Sequence, residues 1–238
     1  MNPPRAVLII PALNEEAVIG EMLAHVPRGL FMAVLVVDNG SSDGTAAVAR
    51  LAGAEVVREP ERGYGNACCR ALRNLPEDAE ILVFMQADLS EDPGEAQRLI
   101  APIARGEADL VVGTRTQGTA QPGSLLRHQR FGNWLATGMI RLLYSRRYTD
   151  LSGFRAIRRN ALTELQMHSG RYAWTVEMQV RAIEQNLRVI ELPVSYRSRL
   201  AGKNKISGCL RASVAAGATI LATICRLWWR YKFCPRPL

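Results

Sequence analysis

Short apolar runs, each ended by a polar loop and followed by a stretch of helix-forming composition, recur through the first half of this chain. No other feature narrows its fold as far. Val7-Leu8-Ile9-Ile10 stops at Pro11-Ala12-Leu13-Asn14, ahead of a helix expected over residues 15–25. Val34-Leu35-Val36-Val37 stops at Asp38-Asn39-Gly40-Ser41-Ser42-Asp43-Gly44, and a helix is expected over 45–52. Glu55-Val56-Val57-Arg58 reads as a third strand, Gly63-Tyr64-Gly65 opens a helix running to Leu72, and residues 81–85 form a fourth strand. A helix around 95–104 and a fifth strand at 109–113 complete the alternation. Parallel strands need crossover connections, so this is an α/β chain with a doubly wound, mostly parallel sheet. The loops at the strand ends are where such sheets bind ligands.

The second half is more helical, over 125–144 and 174–185, with a strand at 188–196. There is no internal repeat or linker, so the expectation is one domain over 1–207 with a C-terminal amphipathic helix in 208–238. With 238 residues and 48% hydrophobic content the chain has enough to bury a sizeable core. A net charge of +8 favours an anionic partner: a nucleotide, a lipid phosphate, a phospholipid surface or nucleic acid. Five cysteines without paired spacing point to a reduced, intracellular protein. Met1-Asn2-Pro3-Pro4 leads straight into a strand without a secretory pattern, so a cytoplasmic location is expected. The longest weakly polar run, 212–225, is shorter than the roughly 20 residues of a membrane-spanning helix.

The loops at 11–16 and 38–45 lie at the ends of adjacent strands and together suit one edge of a nucleotide pocket, although singly each also reads as turn and capping chemistry. The loop Met85-Gln86-Ala87-Asp88-Leu89-Ser90-Glu91-Asp92-Pro93 adds a carboxylate where a divalent cation would bridge a diphosphate. A departing nucleoside diphosphate gains charge as its glycosidic bond breaks, and a hard cation on carboxylate oxygen stabilises that charge. Asp88 is the candidate for that work.

These loops, with Gly113-Thr114-Arg115, Asp150-Leu151-Ser152-Gly153-Phe154-Arg155-Ala156, Trp174-Thr175-Val176-Glu177-Met178 and Pro193-Val194-Ser195-Tyr196, occur in an order that resembles family 2 glycosyltransferases. The similarity is to the branch of dolichyl-phosphate mannosyltransferases and bacterial polyprenyl-phosphate glycosyltransferases, and it runs from about Val7 to Ser207. It implies a GT-A-like domain in which Pro11, Leu13 and Glu15 line the base and ribose site, with Asp38 or Asn39 near the nucleobase. It implies that Ala87 and Asp88 approach the diphosphate and a metal, Mg2+ or Mn2+, that Arg115, Arg199 and Lys205 meet phosphates, and that Arg127 or Arg130 contacts the acceptor phosphate. Arginine's planar fork suits such roles. Two positions depart from the pattern. Gln86 stands where the family usually carries Asp, leaving the metal an amide oxygen in place of an anionic ligand, with Asp92 or Glu91 as nearby compensation. Asn204 stands where a small hydroxyl residue commonly precedes the lysine.

The acceptor decides whether a base is needed. A lipid phosphate is already ionised near neutral pH and attacks directly, whereas a hydroxyl needs a base, for which Asp150 and Glu177 are the candidates beside their bland role of orienting loops. His25, His128 and His168 have no metal-ligand spacing. Along the C-terminal helix Leu210, Val214, Gly217, Leu221, Ile224, Trp228 and Tyr231 gather on one face, with Arg211, Thr219, Thr223, Arg226 and Arg230 opposite. With Trp228-Trp229-Arg230-Tyr231-Lys232 at its end, that helix suits a membrane interface. Packing on the domain body or on a second copy in a homodimer is the alternative. No nucleic-acid-binding motif accompanies the cluster. The leading expectation is inverting transfer of a hexose from a GDP- or UDP-sugar to a polyprenyl phosphate, by a peripheral protein on the cytoplasmic face of a membrane. Transfer to a hydroxyl, and a non-catalytic nucleotide-sugar-binding scaffold suggested by Gln86, are the alternatives.

Overall fold

Strand β1 (Ala6–Ala12) is apolar along nearly its whole length because both of its faces are covered. The computed structural model describes residues 4–200 and 210–234. After β1 come α1 (Glu16–Ala24), β2 (Ala33–Asp38), α2 (Thr45–Leu51), β3 (Glu55–Arg58), α3 (Tyr64–Leu72) and β4 (Ile81–Phe84). Then follow α4 (Ala96–Ala104), β5 (Leu110–Thr114), α5 (Arg127–Tyr144), β6 (Arg155–Arg158), α6 (Arg159–Leu165), α7 (Trp174–Glu184), β7 (Val189–Pro193) and α8 (Leu210–Phe233). The strands form one seven-stranded sheet in the order β3-β2-β1-β4-β6-β5-β7.

Side chains alternate across a strand, so β1 feeds two cores. Leu8 and Ile10 pack with Ile19, Met22, Leu99 and Ile103 from α1 and α4. Val7 and Ile9 pack with Cys68, Leu162, Trp174 and Met178 from α3, α6 and α7. All strand pairs are parallel except those made by β6, which runs antiparallel to both β4 and β5. The other six strands therefore point the same way. Their registers, Ala12 opposite Asp38 and Ile9 opposite Phe84, bring the carboxyl ends and the loops after them to one edge.

The mostly parallel α/β sheet expected from the sequence is present, and the five early strands fall where the apolar runs are. β6 and α6 were not foreseen. β6 offers only Ala156 and Ile157 between two arginines, too short an apolar run to register as a strand. Arg155 is fully buried there, with its Nη1 donating to Thr175 O at 2.9 Å and its Nε to Ser152 O at 3.1 Å. A buried guanidinium is tolerated because backbone carbonyls receive its N–H groups.

The C-terminal helix α8 lies on α5 and α7. Ile224 and Leu227 are buried in a third cluster with Ala136 and Ile140 of α5 and Val176 and Val180 of α7. Each such side chain contributes about 1.5–3 kcal/mol on burial. The packed face is rotated from the one marked by the large apolar residues. Ala216 and Thr223 are buried, while Val214 is 64% and Tyr231 52% exposed. Small side chains at 216 and 223 let the helix sit close to its neighbours, a preference that hydrophobicity alone does not reveal. Among the described residues no helix is long and apolar enough to cross a membrane.

Candidate active site

The loops after β1 and β2 are joined by reciprocal hydrogen bonds. Asn14, in the left-handed region at φ 51°, donates its N–H to Ser41 Oγ at 2.9 Å and accepts from Ser42 N at 2.8 Å. Glu15 N donates to Thr45 Oγ1 at 2.8 Å, and Gly44 N to Glu16 Oε2 at 2.9 Å. Burial pushes the Asp43 carboxyl up, but hydrogen bonds from Thr45 and Glu16 N outweigh it and hold the group below the usual carboxylate range. The result is a rigid double loop flanked by Pro11 and Leu13.

Of the two candidates after β2, Asp38 accepts Ser41 N at 3.0 Å through Oδ1. Asn39 is a bracket: its amide donates to Glu59 O and Glu61 O and its Oδ1 accepts Gly63 N at 2.7 Å. It ties the 59–63 segment to the site edge. That segment then opens α3, where Gly65 lies so close to Ser169 O that a Cβ would sit 1.9 Å from it, so any larger residue would push the 168–171 loop away.

Asp88 is nearly buried, 3% exposed, beside the buried Ala87. Its Oδ1 accepts Ser90 N at 3.0 Å and Ser90 Oγ at 2.5 Å. Its Oδ2 accepts Arg199 Nε at 3.1 Å and Nη2 at 2.9 Å, and the same Nη2 reaches Glu15 Oε1 at 3.2 Å. Three expected donor-site residues from three distant segments thus meet. Two residues before Asp88, Gln86 donates its backbone N–H to Glu91 Oε2 at 2.9 Å. Glu91 is buried, its Oε1 has no hydrogen-bond partner, and burial raises its carboxyl to about 8.

Among the described residues no group of three or more His, Cys, Asp or Glu side chains is placed to hold a metal. Asp88 supplies one hard anionic oxygen donor and Gln86 one amide. That set fits a divalent cation whose remaining ligands come from substrate phosphate and water, as magnesium sites commonly have, and it does not fit an all-protein cage.

Arg115 and Asp150 form a fork-to-fork pair. Arg115 Nε meets Asp150 Oδ2 and Nη2 meets Oδ1, both at 2.8 Å, and Arg115 N also donates to Oδ2 at 2.8 Å. Asp150 is fully buried, and the guanidinium lies 5.1 Å from the centre of the Tyr196 ring. Burial lowers the affinity of Arg115 for its proton, but the hydrogen bonds and charge of Asp150 more than reverse this. Glu177, on α7, is spent in a similar way: it accepts Ser169 N at 2.7 Å, His168 N at 3.2 Å and Arg181 Nε at 2.8 Å. Burial raises its pKa and the bonds from Ser169 and Arg181 bring it below the ordinary value. Glu177 shares no hydrogen bond with Asp88, Arg115 or Arg199, so the geometry joins it to the 168–171 loop rather than to the donor loops.

Arg127 and Arg130 stand exposed in the first turn of α5. Arg130 lines a cleft of about 420 Å³ with Thr116, Asn133, Trp134, Arg141 and Thr149, which brings it alongside the Arg115 loop. Lys205 and the loop before it lie outside the described residues. Ser90, Thr45 and Tyr196 were not singled out from sequence. Of these, Ser90 had a readable signal, since a hydroxyl two residues after Asp commonly bonds back to its carboxylate.

The chain matches the model of glycosyl transferase family 2 over residues 7–166. An uncharacterized glycosyltransferase of Mycobacterium tuberculosis is 38% identical over 211 residues, covering 88% of this chain and 93% of that protein. Polyprenol monophosphomannose synthase of Mycolicibacterium smegmatis is 31% identical over 229 residues, covering 86% and 82%. The fold is also that of glucosyl-3-phosphoglycerate synthase of M. tuberculosis, crystallised with Mn2+, UDP-glucose and phosphoglyceric acid. The TM-score is 0.76 at 25% identity, over 94% of this chain and 80% of that one. By match, order of motifs and sheet, this chain belongs to glycosyl transferase family 2.

Proposed function

We propose that this glycosyltransferase moves a hexose, with inversion, from a GDP- or UDP-sugar to the phosphate of a polyprenyl lipid at the cytoplasmic surface of a membrane. The observation that carries the reading is the condition of the two candidate bases. Asp150 accepts three N–H bonds and Glu177 at least three, and both are buried, so neither carboxylate is poised to take a proton from an acceptor hydroxyl. An ionised phosphate needs no such help. The similarity to a polyprenol monophosphomannose synthase supports the same choice.

In this reading the double loop carrying Pro11, Leu13 and Glu15 holds the base and ribose, with Asp38 at its edge. Asp88 and Gln86 would hold Mg2+ or Mn2+, which when bound supplies positive charge to the diphosphate; the Mn2+ in the glucosyl-3-phosphoglycerate synthase crystals supports this. Arg199 transfers its N–H groups from Asp88 and Glu15 to the donor phosphates, joined by Lys205. Arg115, oriented by Asp150, and Arg127 or Arg130 draw the acceptor phosphate in. A phosphate oxygen then forms a bond to the anomeric carbon while the carbon–oxygen bond to the diphosphate breaks, and the nucleoside diphosphate leaves with the electron pair.

A second reading is favoured by the phosphoglyceric acid in the same crystals: a phosphorylated soluble acceptor whose hydroxyl oxygen attacks the anomeric carbon as the nucleoside diphosphate leaves. A screen of GDP- and UDP-hexoses against a membrane lipid extract, polyprenyl phosphates and phosphoglyceric acid, with products identified by mass spectrometry, separates the two. The expected product is a polyprenyl phosphohexose. Transfer to phosphoglyceric acid with none to any lipid phosphate would sink the leading reading, and nucleotide binding without transfer or donor hydrolysis would leave a scaffold.

A further inference from the structure

Charge is segregated along this chain. Residues 110–149 hold six arginines and residues 192–238 hold nine arginines or lysines, while all 22 acidic residues lie outside these two stretches. α5 comes from the first stretch and α8 from the second. They pack against each other, with the rings of Tyr144 and Tyr231 6.0 Å apart. One side of the molecule thus gathers cations on two helices that contain no acidic residue.

The outward face of α5 is also apolar. Phe131, Trp134, Leu135 and Leu142 recur at steps that place them on one stripe, and Phe131 is 61%, Trp134 64% and Leu142 80% exposed. Arg130 and Arg141 follow one flank of the stripe and, with Arg147, line the cleft of about 420 Å³. Among the described residues none of these three arginines pairs with a carboxylate. On α8 the apolar residues are divided: Ile224 and Leu227 are spent on α5 and α7, while Trp229, Tyr231 and Phe233 stand exposed near its C-terminal end.

Exposed rings and aliphatic groups beside unpaired guanidinium groups match a bilayer interface, where the rings enter the headgroup layer and the cations meet phosphates. A second copy of the chain is a poorer occupant, since it would set arginine against arginine with no carboxylate on either helix to receive them. We propose that the outward face of α5 docks the protein on an anionic bilayer, with a phospholipid phosphate held where Arg141 and Arg147 line the cleft. This deepens the lipid-acceptor reading by naming the surface that meets the membrane.

The test uses the full chain and phosphatidylcholine vesicles with or without phosphatidylglycerol, lacking any sugar donor or polyprenyl phosphate, so docking and transfer can fail separately. Co-sedimentation is expected with the phosphatidylglycerol vesicles and not with the neutral ones. Trp134→Ser with Leu142→Ser, and separately Arg141→Glu with Arg147→Glu, should each weaken partitioning roughly tenfold or more. Wild-type protein that ignores anionic vesicles, or double variants that bind like wild type, would overturn the proposal. So would a solution dimer, seen by sedimentation velocity, that the Trp134→Ser, Leu142→Ser pair splits. Where a double variant unfolds, Trp134→Phe decides alone. Brominated lipid should quench a part of the wild-type fluorescence that this variant lacks, and quenching that persists unchanged refutes docking through α5.

Discussion

Arg199 lies 111 positions beyond Asp88 in the chain, yet its Nη2 sits 2.9 Å from Asp88 Oδ2 and 3.2 Å from Glu15 Oε1. One cation thereby balances two nearly buried carboxylates on the loops after β1 and β4. In the proposed reading a donor diphosphate, which carries more charge than either carboxylate, competes with them for Arg199.

Replacing this cation therefore tests the donor site directly. Arg199→Ala should destabilise the unliganded protein by about 1–3 kcal/mol, because two carboxylates lose a charged partner. It should also raise the donor KM more than it lowers kcat. Arg199→Lys keeps the charge but loses the fork, and should fall between the two. Urea unfolding and donor titration at saturating acceptor give both numbers; an unchanged donor KM would remove Arg199 from the donor site.

Asp150 is expected to act by holding Arg115. Asp150→Asn should slow transfer while leaving the shape of the kcat/KM against pH curve intact, since a lost base would remove its acidic limb. Asp150→Ala strands a nearly buried guanidinium and should cost about 3–5 kcal/mol in unfolding experiments. Loss of the acidic limb in the Asn variant would restore the hydroxyl-acceptor mechanism.

Glu177 and Glu91 bind protons in opposite senses. The folded-state pKa of Glu177 is depressed, so its stabilisation is present above the ordinary carboxylate pKa and disappears as pH falls through the folded value. For Glu91, raised to about 8, the folded state holds the proton more tightly than the unfolded chain. Its effect is loss of stability as pH climbs from the ordinary carboxylate range to about 8. Glu177→Gln should accordingly flatten the acid side of a melting-temperature profile, and Glu91→Gln should raise the melting temperature at mildly alkaline pH.

If Asp88 holds the metal, Gln86 sets an amide two residues before it in place of a second carboxylate. Gln86→Asp should tighten Mn2+ binding in the presence of nucleoside diphosphate by roughly tenfold, as expected for an added carboxylate oxygen. Calorimetric titration measures it directly. Asp88→Asn should abolish that binding and reduce transfer by roughly 10²-fold or more.

The sheet was legible because burial on both faces turns each parallel strand into an unbroken apolar run, as at Val7 to Ile10 and Val34 to Val37. Chemistry was legible where a polar loop followed such a run, which marked Glu15, Asp38 and Asp88 as neighbours on one edge. β6 escaped because Ala156 and Ile157 are too few to form a run, and its antiparallel place between β4 and β5 is a pairing that no local pattern encodes. On α8 the stripe of large apolar residues does not by itself mark the packed side, since Ala216 and Thr223 are buried beside Ile224 and Leu227, and small or polar residues carry no such signal in the sequence.

Residue types and their order were sufficient to determine the fold class and the family, and to nominate the loops of the candidate site. The role of each charged side chain was left to the tertiary structure. Asp150 reads from sequence as a base or, more readily, as a brace, and nothing local shows that Arg115, 35 residues earlier in the chain, occupies both its oxygens. Arg199 read as a phosphate ligand without any sign that Asp88 and Glu15 hold it in place. A carboxylate's chemistry depends on what fills its lone pairs, and in this protein those partners arrive from strands and loops far away in sequence.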